Sequence, residues 1–219
     1  QKIPKGLISL KGKTLSSKEE HIDPEDRNIA LSFQDNSLFP HYTIIENINF
    51  GAKRNRDVKY DFNVNELIKV LHLEGLENKY PHQVSAGEAQ RVSLARSLMS
   101  NPDLLLLDEP FSNIDQSLKV ELQQNIKKIL KENKITTIIV THDSYEAFYM
   151  ADYCGILLSQ TMKQYDTPYN IHHYPNSIEV VNFLNRGILV DAKVLDDTSV
   201  EHRCLGIIKG NFVKKNKKG

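Results

Sequence analysis

Short, continuous apolar runs occur at several points along the chain, and their length is typical of buried β-strands. These runs lie at residues 29–33, 104–107, 136–141 and 155–158. Continuous runs, unlike alternating ones, predict strands that are covered on both faces, as in a parallel sheet. Nearer the N-terminus, residues 7–15 alternate about a Lys-Gly pair, which predicts two strands joined by a tight turn.

Between these strands, apolar residues recur at the three- and four-residue spacing of helices. Asn63 is placed to cap one such helix, and Ser85 begins a capping-box pattern at the start of a second. Residues 118–130 predict a third helix, and Asp143-Ser-Tyr-Glu146 is a second capping box that would open a fourth. Strands that alternate with helices predict an α/β fold with a mostly parallel sheet covered by helices.

Composition and charge exclude several classes of protein. The 219 residues carry 28 basic and 28 acidic side chains, so the formal net charge is zero, whereas broad nucleic-acid binding needs a basic excess. The two cysteines, Cys154 and Cys204, form no paired motif, which argues against a disulfide scaffold or a zinc ribbon. Nor is any apolar run long enough to span a bilayer.

Polar side chains follow three of the predicted strands. Asp108 and Glu109 come after one strand, His142 after another and Gln34 after a third. Because ligands bind at the carboxyl edge of open α/β sheets, these side chains could share one site. One acid could bind Mg²⁺ and the other could polarise an attacking water, while Gln34 could bind Mg²⁺ or hold that water. Each residue alone also fits an ordinary strand or helix end, but the combination predicts a phosphoryl-transfer site.

Five motifs in a fixed order make residues 1 to about 185 resemble the ATP-binding cassette (ABC) ATPases. They are SFQD (32–35) with LFPHYTIIENINFG (38–51), similar to the Q-loop; VSAGEAQR (84–91), similar to the signature segment; LLLLDEP (104–110), similar to the Walker B strand; SNID (112–115), similar to the D-loop; and THD (141–143), with the switch histidine. The resemblance implies a P-loop NTPase-like fold with an inserted helical subdomain at about residues 35–100. It also implies ATP and Mg²⁺ as ligands.

The resemblance assigns a role to each residue at the sheet edge. Glu109 would be the general base for hydrolysis, and His142 would contact the γ-phosphate of ATP. Asp108 and Gln34 would place Mg²⁺ and the attacking water.

The signature segment implies a head-to-tail homodimer, because in this family it contacts the γ-phosphate held by the other subunit. Its residues here are Ser85, Ala86, Gly87 and Glu88. Small side chains at a helix N-terminus allow an anion to approach the backbone N–H groups, although a plain capping box has the same Ser/Glu pattern. Ala86 stands where Gly is usual and Glu88 where Gln is usual. In the same family Asp115 would brace the dimer interface.

A phosphate-binding loop of the form G-x-x-x-x-G-K-[ST] does not occur in these 219 residues. The nearest match, Gly12-Lys13-Thr14, has Gly6 one residue too far upstream and lies in a predicted strand–turn context. Family members place this loop before the segment that resembles GLISLKGKTL, and the chain does not begin with Met. We therefore expect a chain truncated at its N-terminus, which binds Mg-ATP poorly and hydrolyses hardly any.

Residues 38–51 resemble the importer subset of the family, which implies contact with integral membrane permease subunits near residues 35–50. We expect the aromatic residues Phe39 and Tyr42 to be exposed, which suits such an interface, although a local apolar cluster is the safer explanation. The subunit would lie at the cytoplasmic face of the inner membrane as a peripheral protein. It would meet the external substrate-binding protein only indirectly, and no nucleic acid.

After residue 185 the pattern changes to short alternating stretches and a basic tail. Residues 186–219 therefore predict the start of a small β-rich regulatory segment, similar to that of the ferric-iron import ATPases. Importers of molybdate, sulfate or polyamine are close alternatives. A non-transport ABC ATPase and a degenerate, non-enzymatic cassette are alternatives of other classes.

Overall fold

The computed structural model describes residues 3, 5–33, 35, 37–52, 63–185 and 190–210. It divides into two compact units, residues 1–152 and 153–219, and each is described here by itself. Gln34, the polar segment 53–62 and the basic tail lie outside the described residues. The domain boundary expected near residue 185 stays a prediction.

The first unit contains a β-hairpin and a three-stranded parallel sheet. Its strands are β1 (Ile8–Leu10), β2 (Lys13–Ser16), β3 (Ile29–Ser32), β4 (Leu104–Asp108) and β5 (Thr136–Val140). Strands β1 and β2 pair antiparallel, while β4 lies between β3 and β5 and runs parallel to both. The hairpin turns at Lys11 and Gly12, which both have positive φ as a tight two-residue turn requires. Gly12-Lys13-Thr14 therefore belongs to a hairpin and opens no helix, as predicted.

Five α-helices occur in the described residues of the first unit, between or after these strands. They are α1 (Ile44–Ala52), α2 (Val64–Val70), α3 (Ala86–Met99), α4 (Gln116–Glu132) and α5 (Ser144–Met150). The predicted starts of α2 and α3 are confirmed, since the side chains of Asn63 and Ser85 each accept a hydrogen bond from a backbone N–H of the first turn. Helix α1 was not predicted from the sequence.

The core of the first unit lies on one face of the parallel sheet. Leu105 and Leu107 of β4 are fully buried there together with apolar side chains of α3 and α4. On the opposite face, Leu31, Ile138 and Val140 are 41%, 53% and 58% exposed. The expectation that these strands are covered on both faces is therefore wrong for the described residues. An apolar run shows that its side chains favour burial, but it does not show that another helix or strand covers them.

The described part of the second unit, residues 153–185 and 190–210, contains short antiparallel strands and two short helices. Its elements are β6 (Cys154–Leu158), β7 (Thr161–Asp166), α6 (Pro168–His173), α7 (Ile178–Leu184), β8 (Lys193–Val194), β9 (Ser199–His202) and β10 (Gly206–Lys209). Strand β6, expected as the next strand of the parallel sheet, instead pairs antiparallel with β7 because the two-residue connection between them allows only a hairpin. Strands β8–β10, which follow residue 185, form a three-stranded antiparallel sheet. None of the helices in the described ranges is long and apolar enough to cross a membrane.

Candidate functional site

The carboxyl ends of β4 and β5 bring Glu109 and His142 together. These strands are in register, with Asp108 opposite Val140, so the residues that follow them are neighbours. Nδ1 of His142 lies 2.7 Å from Oε1 of Glu109, and the backbone N–H of His142 donates to the same oxygen at 3.0 Å. The carboxyl side chain is only 16% exposed, whereas the imidazole is 81% exposed. The predicted meeting of these two side chains at one sheet edge is therefore found.

The backbone of Glu109 turns out of the strand in the left-handed region. Its φ is 49°, which is uncommon and costly for a residue other than glycine. Its N–H still donates to the carbonyl of Val140 at 2.9 Å. Alternation along a strand would point Asp108 and Glu109 to opposite faces, but β4 ends at Asp108. The left-handed turn, rather than the pleat of a strand, therefore sets the direction of the Glu109 side chain.

The contact with Glu109 raises the pKa of His142 above that of an ordinary histidine. The hydrogen bond and the charge of Glu109 are the main causes, and Asp143 and Glu146 add smaller attractions. Since a carboxylate oxygen accepts, Nδ1 carries the proton in this contact. In its charged form the ring can donate from both nitrogens, so an exposed imidazolium here can serve Glu109 and an anion at once.

A buried ion pair lies next to this contact, between α4 and the start of α5. Nζ of Lys119 is 2.9 Å from Oδ2 of Asp143 and 3.0 Å from Oε2 of Glu146. Burial alone would lower the pKa of Lys119, but the hydrogen bonds to Asp143 and Glu146 raise it. Burial also raises the pKa of Glu146, against the opposing effect of Lys119. The pair fixes the loop that carries His142 to helix α4.

The second predicted capping box is only half correct. Asp143 does cap α5, since its side chain accepts hydrogen bonds from the N–H groups of Tyr145 and Glu146. The carboxylate of Glu146, however, faces Lys119 instead of the cap. Sequence reasoning missed Lys119, although it shares the spacing of the buried positions 122, 126 and 130 of the same helix.

The first turn of α3 forms the complete capping box that the sequence predicted. The N–H of Ser85 donates to Oε2 of Glu88 at 2.7 Å, and the N–H of Glu88 donates to Oγ of Ser85 at 3.2 Å. The backbone hydrogen bond from Ser85 is the main cause that lowers the pKa of Glu88. Glu88, which stands where the family usually has Gln, is thus used to cap this helix.

A small cavity of about 60 Å³ joins the start of α3 to the loop that precedes α4. Its lining residues come from the signature segment and from the D-loop segment, and they are Ser85, Gly87, Arg91, Asn113, Ile114, Asp115 and Leu118. A Cβ on Gly87 would lie 2.5 Å from the carbonyl oxygen of Asn113. Gly87 is therefore needed for these two segments to pack together, a reason that the sequence did not disclose.

The two predicted Mg²⁺ ligands, Gln34 and Asp108, stay predictions. Gln34 lies outside the described residues, and Asp108 is half-buried at the end of β4. Within the described ranges, no group of three or more His, Cys, Asp or Glu side chains is arranged to hold a metal ion. The carboxylate of Asp108 is a suitable oxygen ligand for Mg²⁺, which usually keeps several waters and takes only one or two protein ligands.

An aromatic cluster occupies the loop before α1 and the exposed side of that helix. The rings of Phe39 and Phe50 lie 4.5 Å apart between centroids, and Tyr42 packs against both. Phe39 and Tyr42, expected to be exposed, are half-buried, and Phe50 is the more open ring. Asn47 is fully buried beneath this loop. Its amide donates to the carbonyls of Phe39, Tyr42 and Thr43, and its carbonyl accepts from the N–H of Phe39.

The motif order and the sheet-edge geometry agree with a known family. Residues 1–112, half of the chain, match the family described as "ABC transporter". The chain belongs to this family. The solved cassette structures agree in fold: a dimeric post-hydrolysis ATP-binding cassette bound to ADP and Pi has a TM-score of 0.64 at 24% identity, over 77% of this chain and 75% of that one. A dimeric bacterial ABC transporter cassette gives 0.57 at 27% identity, over 66% and 64%.

Two relatives with named functions are import ATP-binding proteins. The chain is 35% identical, over 86% of its length, to the Fe(3+) ions import ATP-binding protein FbpC 2 of Pectobacterium atrosepticum. It is 34% identical, over 89% of its length, to the spermidine/putrescine import ATP-binding protein PotA of Nitratidesulfovibrio vulgaris. This ABC chain spans about half the length of these relatives, 55% and 52% respectively.

Proposed function

We propose that this chain is the ATP-hydrolysing part of an ABC importer. The observation that carries the proposal is the contact between Glu109 and His142, at the carboxyl edge of a parallel sheet and beside Asp108. A nearly buried carboxylate, an exposed imidazole and a second carboxylate are the groups that hydrolysis of a phosphoanhydride needs. The names of the import ATP-binding relatives support the assignment to an importer.

The side chains divide the work of hydrolysis between them. Glu109 is the general base: its carboxylate accepts a proton from the water that attacks the γ-phosphorus of ATP. His142, whose pKa is raised by Glu109, donates a hydrogen bond to a γ-phosphate oxygen from the ring nitrogen that does not face Glu109. The leaving group is ADP, so the bond to the β–γ bridging oxygen breaks as the bond to water forms.

Asp108, with Gln34, would hold Mg²⁺ at the end of β4. When bound, Mg²⁺ neutralises charge on the β- and γ-phosphates. The backbone cradle that a phosphate-binding loop provides is not encoded in these 219 residues. We therefore predict that this chain alone binds Mg-ATP weakly and turns over hardly any.

The signature segment would complete the site of a second copy in a head-to-tail homodimer. Ser85 to Glu88 form the N-terminus of a 14-residue helix, where the helix dipole favours an anion. Arg91 lines the same cavity as Ser85 and Gly87, and its Nε donates to the carbonyl of Gly87 at 3.3 Å. Asp115 also lines this cavity and would brace the dimer. The dimeric cassette structures support this arrangement.

The aromatic cluster of Phe39, Tyr42 and Phe50 would contact integral membrane permease subunits at the cytoplasmic face of the membrane. The supporting observation is that Asn47 fixes the loop from below while Phe50 stays exposed. The chain would contact the external substrate-binding protein only through the permease. We propose ferric iron as the cargo, on the names of several relatives, with a polyamine as the second candidate.

The test is ATP hydrolysis by the complete translation product of the gene. We expect Glu109→Gln to abolish hydrolysis while calorimetry still detects Mg-ATP binding, because the amide cannot accept the proton. The control is Glu132→Gln, on the exposed end of α4, which should leave turnover unchanged. Equal turnover in wild type and Glu109→Gln would refute the assignment. Uptake of labelled ferric iron or spermidine by cells with and without the gene decides the cargo.

A further inference from the structure

Gln90 of helix α3 uses its buried amide entirely within the loop that begins at Glu109. Its side chain is only 2% exposed. Nε2 donates to the carbonyl oxygen of Glu109 at 2.6 Å and to Oγ of Ser112 at 3.3 Å, and Oε1 accepts from the N–H of Asn113 at 3.1 Å. One side chain therefore joins the signature helix to both ends of the Glu109–Asn113 segment.

The Glu109 backbone needs such support because of its conformation. A left-handed residue other than glycine persists only where its surroundings hold it. The carbonyl of Glu109 accepts from Gln90 and also from Oγ and the backbone N–H of Ser112, at 3.0 and 3.2 Å. Of these donors, only Gln90 comes from outside the turn itself. Removing it leaves local hydrogen bonds that would also form in a rearranged turn.

We infer that Gln90 is a positioning residue for Glu109. By fixing the left-handed backbone, it directs the carboxylate to His142, and it ties that geometry to the helix that begins at Ser85. A shift of helix α3 would thereby be passed to the Glu109 carboxylate through one side chain. The positioning rests on these contacts alone, whereas its consequence for hydrolysis rests on the proposed function.

The backbone N–H of His142 provides a direct measurement, since it donates to the Glu109 carboxylate. The variants are Gln90→Met, which keeps the length but removes the amide, and Gln90→Glu, which keeps an acceptor for Asn113 but sets an oxygen against the Glu109 carbonyl. The matched control is Gln123→Met, at a buried glutamine of α4 outside this group. Amide hydrogen exchange and the ring ¹⁵N shifts of His142 are followed by NMR in the 219-residue chain, without nucleotide.

We expect exchange of the His142 N–H to become about fivefold faster or more in both Gln90 variants and to stay unchanged in Gln123→Met. The ring shifts should also move away from the Nδ1-protonated form. Unchanged exchange and unchanged ring shifts in a folded Gln90 variant would overturn the inference. If neither variant folds, Gln90→Asn decides: it keeps the amide but is one methylene too short to reach the Glu109 carbonyl. The same changes at His142 are then expected, whereas unchanged exchange and ring shifts overturn the inference.

A second readout connects the role to hydrolysis. In the complete translation product, Gln90→Met should lower kcat on the order of tenfold with little change in KM for ATP, because substrate contacts remain. If the Gln90 variants alter the His142 signals but the wild-type protein does not hydrolyse ATP, the proposed function is refuted and the positioning role stands. Normal His142 signals in Gln90→Met would remove the positioning role, whatever the hydrolysis.

Discussion

Nζ of Lys119 lies 3.0 Å from Oε2 of Glu146, and both side chains are largely withdrawn from water. Lys119 stands in the first turns of α4, which follows the D-loop segment, and Glu146 stands in α5, which follows His142. Segments that the resemblance assigns to the dimer interface and to the nucleotide are thus joined inside one chain. This connection is made by side chains that are 27 positions apart in sequence.

Replacement of Lys119 by Met should destabilise the chain by about 3 kcal/mol at pH 7, because it leaves the buried carboxylate of Glu146 without a cation. Burial raises the pKa of Glu146, so in the variant this carboxylate should become protonated as pH falls toward 5. The loss of unfolding free energy should therefore become smaller at the lower pH. Urea unfolding at both pH values measures this. Lys128→Met, which removes an exposed pair to Glu132 on the same helix, should cost less than 1 kcal/mol. Equal losses in the two variants would contradict the prediction.

His142 should make the stability of the chain depend on pH near neutrality. Its pKa is raised in the folded state by Glu109, so its stabilising contribution is complete below the unfolded pKa of about 6.5. That contribution is lost as pH rises through the folded pKa. We expect Glu109→Gln to flatten the stability profile above pH 6.5 and to lower the His142 pKa measured by NMR. A His142 pKa that stays the same in Glu109→Gln would show that the contact is absent in solution.

Gly87→Ala should separate the signature helix from the D-loop segment. The added Cβ would meet the backbone oxygen of Asn113 at 2.5 Å, and backbone cannot yield as a flexible side chain can. We expect a loss of about 1–3 kcal/mol in thermal or urea unfolding. Gly210→Ala is the control, because a Cβ there meets nothing within 4 Å, and it should change stability by less than about 0.5 kcal/mol. A neutral Gly87→Ala would mean that the two segments are not packed in this way.

Asn47→Ala should release the aromatic loop before α1. The substitution removes four hydrogen bonds between a fully buried side chain and the backbone of residues 39–43, and leaves loop groups unpaired. We expect a loss of about 2–3 kcal/mol and faster hydrogen exchange at Phe39. Asn49→Ala, at a half-exposed site on the same helix, is the control and should change little. If both variants behave alike, Asn47 does not hold the loop.

The sequence was sufficient to predict the features that depend on local patterns. Asn63 and Ser85 were found as helix caps because a cap depends on residues only two or three positions away. The order of the five motifs predicted the family, and the strand ends predicted that Glu109 and His142 would meet. These features depend on short-range spacing and on the rule that parallel strands share an edge.

Long-range packing is where prediction from sequence failed. Gln90 and Lys119 were missed because the sequence around a polar helical residue does not indicate which distant backbone group or charge it will contact. Gly87 was given a reason based on its small size toward an anion, whereas its closest neighbour is the carbonyl of Asn113. The open face of the sheet was missed because side-chain apolarity does not report what covers a strand.

By itself, the sequence determined the α/β class, most element positions and the family, and it predicted that Glu109 and His142 meet at one sheet edge. Only the tertiary structure decided the left-handed turn at Glu109, the hydrogen bonds from Gln90 that support it, and the buried pair of Lys119 with Glu146. The physical reason is the range of the interactions. Helix caps and hydrophobic periodicity depend on residues within one or two turns. Strained backbones and buried charges are stable only where residues distant in sequence contact them.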